Sequence, residues 1–224
     1  MSDYSKTPSK IKKLVLPEGA PPEREKVEFS QRRRLFLALA LESHRQGYEV
    51  VSVDRLAETA MLSKTTLYEL FEGKQGVLEG AVARFSRDAR DAIEQAVGLA
   101  DDWTAAIPAA AGALIAECVR EPEMARLTFA EAPFVLTPQR TREPHSDEGY
   151  GDDLPGHDLL GALLDTAGPL DDLTRLATIG GMAAPLADRL RRGRTAELDE
   201  LQPQISYLAL NAHCGPDRAL ELSA

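Results

Sequence analysis

Seven residues between positions 52 and 74 have side chains suited to holding a polyanion. Ser52, Ser63, Thr65, Thr66 and Tyr68 carry hydroxyls, and Lys64 and Lys74 carry ammonium groups. Phosphate oxygens and base edges accept hydrogen bonds from such donors. Five of the seven are crowded into Ser63-Lys64-Thr65-Thr66-x-Tyr68, a spacing short enough for one or two helical turns.

Those side chains need elements to position them. Val53, Leu56, Ala57 and Ala60 recur at i, i+3, i+4 and i+7, which predicts a short helix with one apolar face. Ser52 stands before it as an N-cap. Met61-Leu62-Ser63 breaks the pattern, and Ser63 caps a second helix. That helix is expected to bury Leu67, Leu70 and Phe71 and to leave Lys64, Thr65, Thr66, Tyr68 and Glu69 towards solvent. Gly73 ends it, and Lys74 opens the next helix. Two helices meeting at a tight corner, the second with a polar first turn, fit a helix-turn-helix whose second helix enters the major groove. A helical corner that carries a Tyr and touches nothing satisfies the same spacing, so both readings stand on spacing alone.

Composition narrows the choice. The 224 residues suffice for one large domain or two small ones. Strand-type alternation is nearly absent and apolar residues recur at helical spacing, so the fold class is all-α. Aromatics make up 5% of the chain, which leaves the packing to Ala and Leu. The net charge of −10 speaks against a polyanionic partner, but its distribution does not. Residues 1–87 hold 15 Lys and Arg against 12 Asp and Glu, a net of +3. Residues 88–224 hold 11 against 24, a net of −13. A chain with a basic end and an acidic end can touch DNA with the first.

Other chemistries find little support. His44, His145, His157 and His213 show no metal-ligand spacing, and no metal or cofactor is expected. Gly180-Gly181 lies inside a helix pattern and lacks the lysine of a phosphate loop. There is no GxSxG elbow and no catalytic set, so no enzyme is expected. Cys118 sits in an apolar helix and reads as a small buried hydrophobe, while Cys214 reads as more exposed. Two distant cysteines, no signal-peptide pattern and no long uncharged apolar stretch predict a cytoplasmic protein with no membrane partner.

Residues 1–28, with Pro8, Pro17, Gly19, Pro21 and Pro22, are expected to form a disordered arm. Its Lys10, Lys12 and Lys13 either follow a phosphate backbone or are simply solvated. A helix is expected from Ser30, with Arg32, Arg33 and Arg34 in its first turn against the helix dipole, where phosphate would satisfy them. Leu35, Phe36, Leu39 and Ala40 supply its core stripe, and Gly47 closes it before Tyr48.

The run RRRLFLALALESHRQGYEVVSVDRLAETAMLSKTTLYELFEGKQGVLEGAV resembles the N-terminal DNA-binding domain of TetR-family transcriptional regulators. The matching features are Gly47-Tyr48, Ser52-Val53, Leu56-Ala57, Ser63-Lys64-x-Thr66-Leu67-Tyr68, Phe71, Lys74 and Leu78. The resemblance is clear over residues 32–82 and holds in outline beyond. It implies that Lys64, Thr65 and Thr66 face bases and phosphates from the amino end of a recognition helix. It also implies that Tyr68, Lys74 and Ser52 bond phosphates and that Leu56, Leu67 and Phe71 are core. Three places depart from the family pattern. Met61 stands where the turn usually has Gly, which predicts a blunter corner or an unfavourable backbone. Glu69 and Leu70 stand where aromatics or His are common. Glu42 and Ser43 replace apolar residues, so the first helix is expected to pack less well there.

The resemblance also organises the remainder. The expected division is a disordered arm at 1–28, a helix-turn-helix DNA-binding domain at 29–75, and an effector-binding and dimerisation domain at 76–224. Helices are expected over 74–99, 105–119, 121–132, 158–164, 170–192 and 195–212, with a loop over 139–156. The first of these would act as a lever between the two domains. The last two would pair across a two-fold axis in a homodimer, with Gly180, Gly181, Ala183 and Ala184 allowing close approach. Trp103, Met124, Phe129, Phe134 and Met182 are the candidate lining of an effector pocket. The implied function is a repressor released from a palindromic double-stranded operator by a small-molecule effector. An activator, or a regulator with no inducer, is the alternative.

Overall fold

The computed structural model describes residue 11 and residues 24–136 and 154–223, and every regular element among them is helical. Most of the expected arm, with Lys10, Lys12 and Lys13, lies outside the described residues, as does 139–153 of the expected loop. The chain divides into two compact units between residues 81 and 82, six residues later than the expected division.

The first unit is built on α1, Arg24–Gln46. Against it pack α2, Val53–Thr59, and α3, Lys64–Leu70, with a 3₁₀ turn Tyr48–Val50 before α2. The first residues of α4, Gly73–Gly98, complete the unit. Leu35, Leu39, Leu41, Leu56, Leu67 and Leu78 are fully buried. Each such side chain contributes about 1.5–3 kcal/mol by leaving water. Phe36 and Phe71 meet at 5.6 Å between ring centroids. Gly80 makes room for them, since a Cβ there would lie 2.7 Å from the Phe71 ring.

The helix expected from Ser30 begins at Arg24 instead, so the last residues of the expected arm are helical. Glu25 suits the positive end of the dipole in the first turn. One turn on, Glu28 accepts from Arg32 at 2.8 Å in an i, i+4 pair. Arg32, Arg33 and Arg34 therefore occupy mid-helix and do not oppose the dipole. Gly47 ends α1 as expected, with φ 85° and its amide donating to the Ser43 carbonyl at 2.9 Å.

The second unit contains the remainder of α4 and α5, Trp103–Arg120. Then come α6, Pro122–Arg126, a π-helical turn, Leu127–Glu131, and α7, Ala132–Val135. After these follow α8, His157–Asp165, and α9, Asp172–Arg191. Asp102 caps α5 by accepting from the amides of Thr104 and Ala105 at 2.8 and 3.1 Å. Phe85 and Phe129 pack edge to face at 6.2 Å.

The helix expected over 195–212 starts later. Two 3₁₀ turns, Thr195–Glu197 and Asp199–Leu201, precede α10, Gln202–Cys214. Pro203 has no amide to donate, so it favours the first turn of a helix over its interior. A further helix, α11, Pro216–Ser223, follows Gly215 at φ 79°, and no periodicity long enough to predict it precedes it.

Candidate nucleic-acid interface

The two helix starts that carry the candidate residues are built from their own side chains. Ser52 Oγ accepts from the Arg55 amide at 3.2 Å, and Ser63 Oγ accepts from the Thr66 amide at 3.0 Å. A serine hydroxyl that accepts in this way still has its own proton to donate. Ser63 Oγ also shares a hydrogen bond with Thr66 Oγ1 at 2.9 Å. On α3, Leu67 points fully into the core while Lys64, Thr65, Tyr68 and Glu69 are exposed and Thr66 is half-buried. Leu70 and Phe71 are half-buried, although the sequence pattern predicts core. Tyr68 is 60% exposed, a large aromatic held in solvent.

Lys64 and Lys74 differ sharply. Lys64 Nζ is exposed and lies 2.5 Å from Asp54 Oδ1, an ion pair joining the first turns of α2 and α3. Asp54 raises the Lys64 pKa, and two ammonium protons remain for other acceptors. Lys74 Nζ instead donates to the carbonyls of Tyr48 at 2.8 Å and Glu49 at 3.3 Å, and sits 4.1 Å from the centre of the Tyr48 ring. Desolvation lowers its pKa, with Glu49 pulling the other way. Of the seven residues, Lys74 is the one whose charge is engaged by the backbone before α2. Two members of the Arg32–Arg34 cluster are also engaged within the unit. Arg32 pairs with Glu28 and stacks 4.8 Å over the Phe71 ring, and Arg34 is buried.

The corner between α2 and α3 is a Schellman turn. The Leu62 amide donates to the Ala57 carbonyl at 2.9 Å and the Met61 amide to the Glu58 carbonyl at 3.0 Å. Met61 occupies the left-handed position with φ 57°, and among the described residues no other non-glycine has a positive φ. The expected unfavourable backbone is therefore present, at a cost of about 1–2 kcal/mol for an L-residue.

Glu42 overturns the expectation of poor packing in α1. Its carboxylate is 2% exposed, yet it accepts from Thr59 Oγ1 at 2.9 Å and Arg55 Nε at 3.2 Å on α2. Arg45 and Gln46 donate to it from α1 at 3.3 and 3.4 Å. A buried carboxylate with this many donors fastens α2 to α1, a role usually left to apolar contact. Ser43 beside it is buried, and its hydroxyl has no partner among the described residues.

The five candidate effector residues differ in burial. Met124, Phe129 and Met182 are buried in the second unit, where α9 packs on α6 and the π turn. Trp103 lies at the start of α5 with its ring 6.1 Å from His213, and Phe134 is 68% exposed. Two open grooves lie among other described residues. One, of about 520 Å³, is lined by Pro203, Gln204, Tyr207, Leu208, Leu220 and Ser223. The other, of about 420 Å³, is lined by Ala96, Leu99, Ala100, Asp101, Ala105 and Ala109. None of the five residues borders either one. No group of three metal-ligating side chains occurs among the described residues.

Comparison with known proteins follows the same division. Residues 36–81 match the family described as bacterial regulatory proteins, tetR family. A TetR-like transcriptional regulator from Rhodococcus sp. RHA1 superimposes with a TM-score of 0.58 at 19% identity, covering 81% of this chain and 94% of that one. The fatty acid degradation regulator FadR from Bacillus halodurans does so with a TM-score of 0.57 at 17% identity, covering 84% and 96%. No curated protein sequence matches the chain. At such identities the two structures speak for an all-α, two-domain fold alone, and the likeness to the tetR family rests on residues 36–81, the segment that holds α2 and α3.

Proposed function

We propose that the protein is a homodimeric repressor that holds a palindromic operator with two α3 helices and is released by a small-molecule effector. The observation that carries this reading is the outer side of α3. Lys64, Thr65 and Tyr68 stand exposed there, and the first turn of the helix has no acidic residue. Lys64, Thr65 and Thr66 read base edges and nearby phosphates, and Tyr68 and the Ser52 and Ser63 hydroxyls donate to phosphate. Lys74 reaches a phosphate after giving up a carbonyl, so its contribution is the smaller of the two lysines.

Dimerisation is supported by the outer face of α9. Leu173, Leu176, Ala177, Gly181 and Ala184 are exposed at helical spacing, and Gly180 opens onto empty space. The apolar groove beside Tyr207, Leu208 and Leu220 adds to that face. A second copy covering it would give the paired heads that two half-sites about 34 Å apart require. The effector acts in the second unit and shifts the population of head spacings through α4, which belongs to both units. The buried trio Met124, Phe129 and Met182 is where an apolar ligand would displace packing.

The test is a gel shift on the protein's own upstream region. Lys64→Ala with Tyr68→Phe is expected to lower affinity at least about tenfold at physiological salt. Lys64→Ala alone should flatten the salt slope by about one. Unchanged affinity in the double variant would remove the α3 assignment. Ligand-induced release in the same assay separates this reading from an activator or a regulator without inducer.

A further inference from the structure

Arg34 lies on the inner face of α1, in register with Ala38 and Leu41, and is 8% exposed. Its Nη1 donates to the Met61 carbonyl at 3.2 Å, across 27 residues of chain. Its Nε is buried with no partner among the described residues. Burying a guanidinium in this way is costly unless its bonds return something. The acceptor is the carbonyl of the one described non-glycine residue held in the left-handed region, and Ser63, the cap of α3, follows two residues later.

We propose that Arg34 is a positioning residue for DNA recognition: its buried guanidinium clamps the left-handed Met61 turn and thereby sets where α3 begins. A glycine at this position would adopt the turn without help, because it has no Cβ to oppose positive φ. Met61 does not, so the turn needs a second restraint, and Arg34 supplies it from α1. Without the clamp the corner spends part of its time in other conformations, and apparent operator affinity falls with the fraction still correctly formed. Arg34 touches no DNA in this scheme. The inference rests on α3 being the DNA-reading helix.

The experiment is a double-mutant cycle of Arg34→Met and Met61→Gly. The probes are a duplex selected by the wild-type protein from a randomised library and an unselected duplex of equal length. Arg34→Met in the Met61 background should weaken the selected duplex by about tenfold, the loss of one charge-assisted hydrogen bond. In the Met61→Gly background the same change should cost no more than about twofold, because the turn then holds itself. Binding to the unselected duplex should change less than binding to the selected one in every variant, since Arg34 itself touches no phosphate and only the contacts made from α3 are disturbed. Amide exchange at Met61 and Leu62, the two donors of the turn, should accelerate in Arg34→Met and return towards wild type when Met61→Gly is added. Should Arg34→Met fail to fold, Arg34→Lys keeps the charge and a donor, and the same cycle is read with it. An equal loss of selected-duplex affinity in both backgrounds, or exchange at Leu62 that does not respond, would overturn the clamp. A wild-type protein that selects no duplex at all would instead overturn the α3 reading beneath it.

Discussion

The same turn is built twice among the described residues, once in each unit, with different residues. At the end of α2 the Leu62 amide bonds the Ala57 carbonyl and the Met61 amide bonds that of Glu58. At the end of α9 the Arg194 amide bonds the Arg189 carbonyl at 2.9 Å and the Gly193 amide bonds that of Leu190 at 3.2 Å. The left-handed residue has φ 57° in the first and 65° in the second. Gly193 adopts that value freely, whereas Met61 is held there with a buried arginine on its carbonyl. The second unit solves the turn locally and the first solves it through tertiary structure. A local solution tolerates change in its surroundings. A tertiary one ties the start of α3 to the position of α1.

Substitutions at three left-handed positions test this contrast. The largest loss is expected at Gly156, which combines φ 83° with a steric limit. A Cβ there would lie 2.6 Å from the Phe129 ring. Gly156→Ala should cost about 3 kcal/mol from backbone strain and overpacking together, read as a lower urea midpoint. If the cost is below about 1 kcal/mol, the ring moves aside easily and the position is conformational only. Gly193→Ala should lose about 1–2 kcal/mol, the penalty of an L-residue in the left-handed region. A null result there would mean that the turn at the end of α9 rearranges, and that it does not match its counterpart. Met61→Gly should change stability least, a gain of up to about 1 kcal/mol, because relief of strain is offset by the larger entropy of glycine in the unfolded chain. A loss on Met61→Gly would show that the Met61 side chain, 53% exposed, contributes more than its backbone costs.

The same distinction governs how much was legible in the sequence. The Ser52 and Ser63 caps, the apolar face of α2, the Gly47 ending and the buried Leu67 depend on neighbours within a few residues, and local spacing predicts them. The family of residues 36–81 was legible too, because its motif is a run of such local features. Arg34 carried a faint signal, since it falls at i, i+4 and i+7 with Ala38 and Leu41 on a core stripe. A run of three arginines reads as a solvated or phosphate-bound face, and that reading hid it. Glu42 carried the opposite signal: a charge on a core stripe reads as a defect until its donors from α2 are seen. The five effector candidates were chosen for size, and size on a helical stripe marks the core of a packed unit as readily as a pocket.

By itself the sequence determined an all-α chain with a polar, hydroxyl-rich second helix after a tight corner. Periodicity and capping act over three or four residues, so they survive without knowledge of the fold. What only the tertiary structure decided is where the long polar side chains go. Arg34 reaches Met61 across 27 residues, Lys74 reaches Tyr48 across 26, and Arg55 and Thr59 reach Glu42 across 13 and 17. A long charged side chain has many acceptors within its length, and the one it takes depends on which helix is packed beside it.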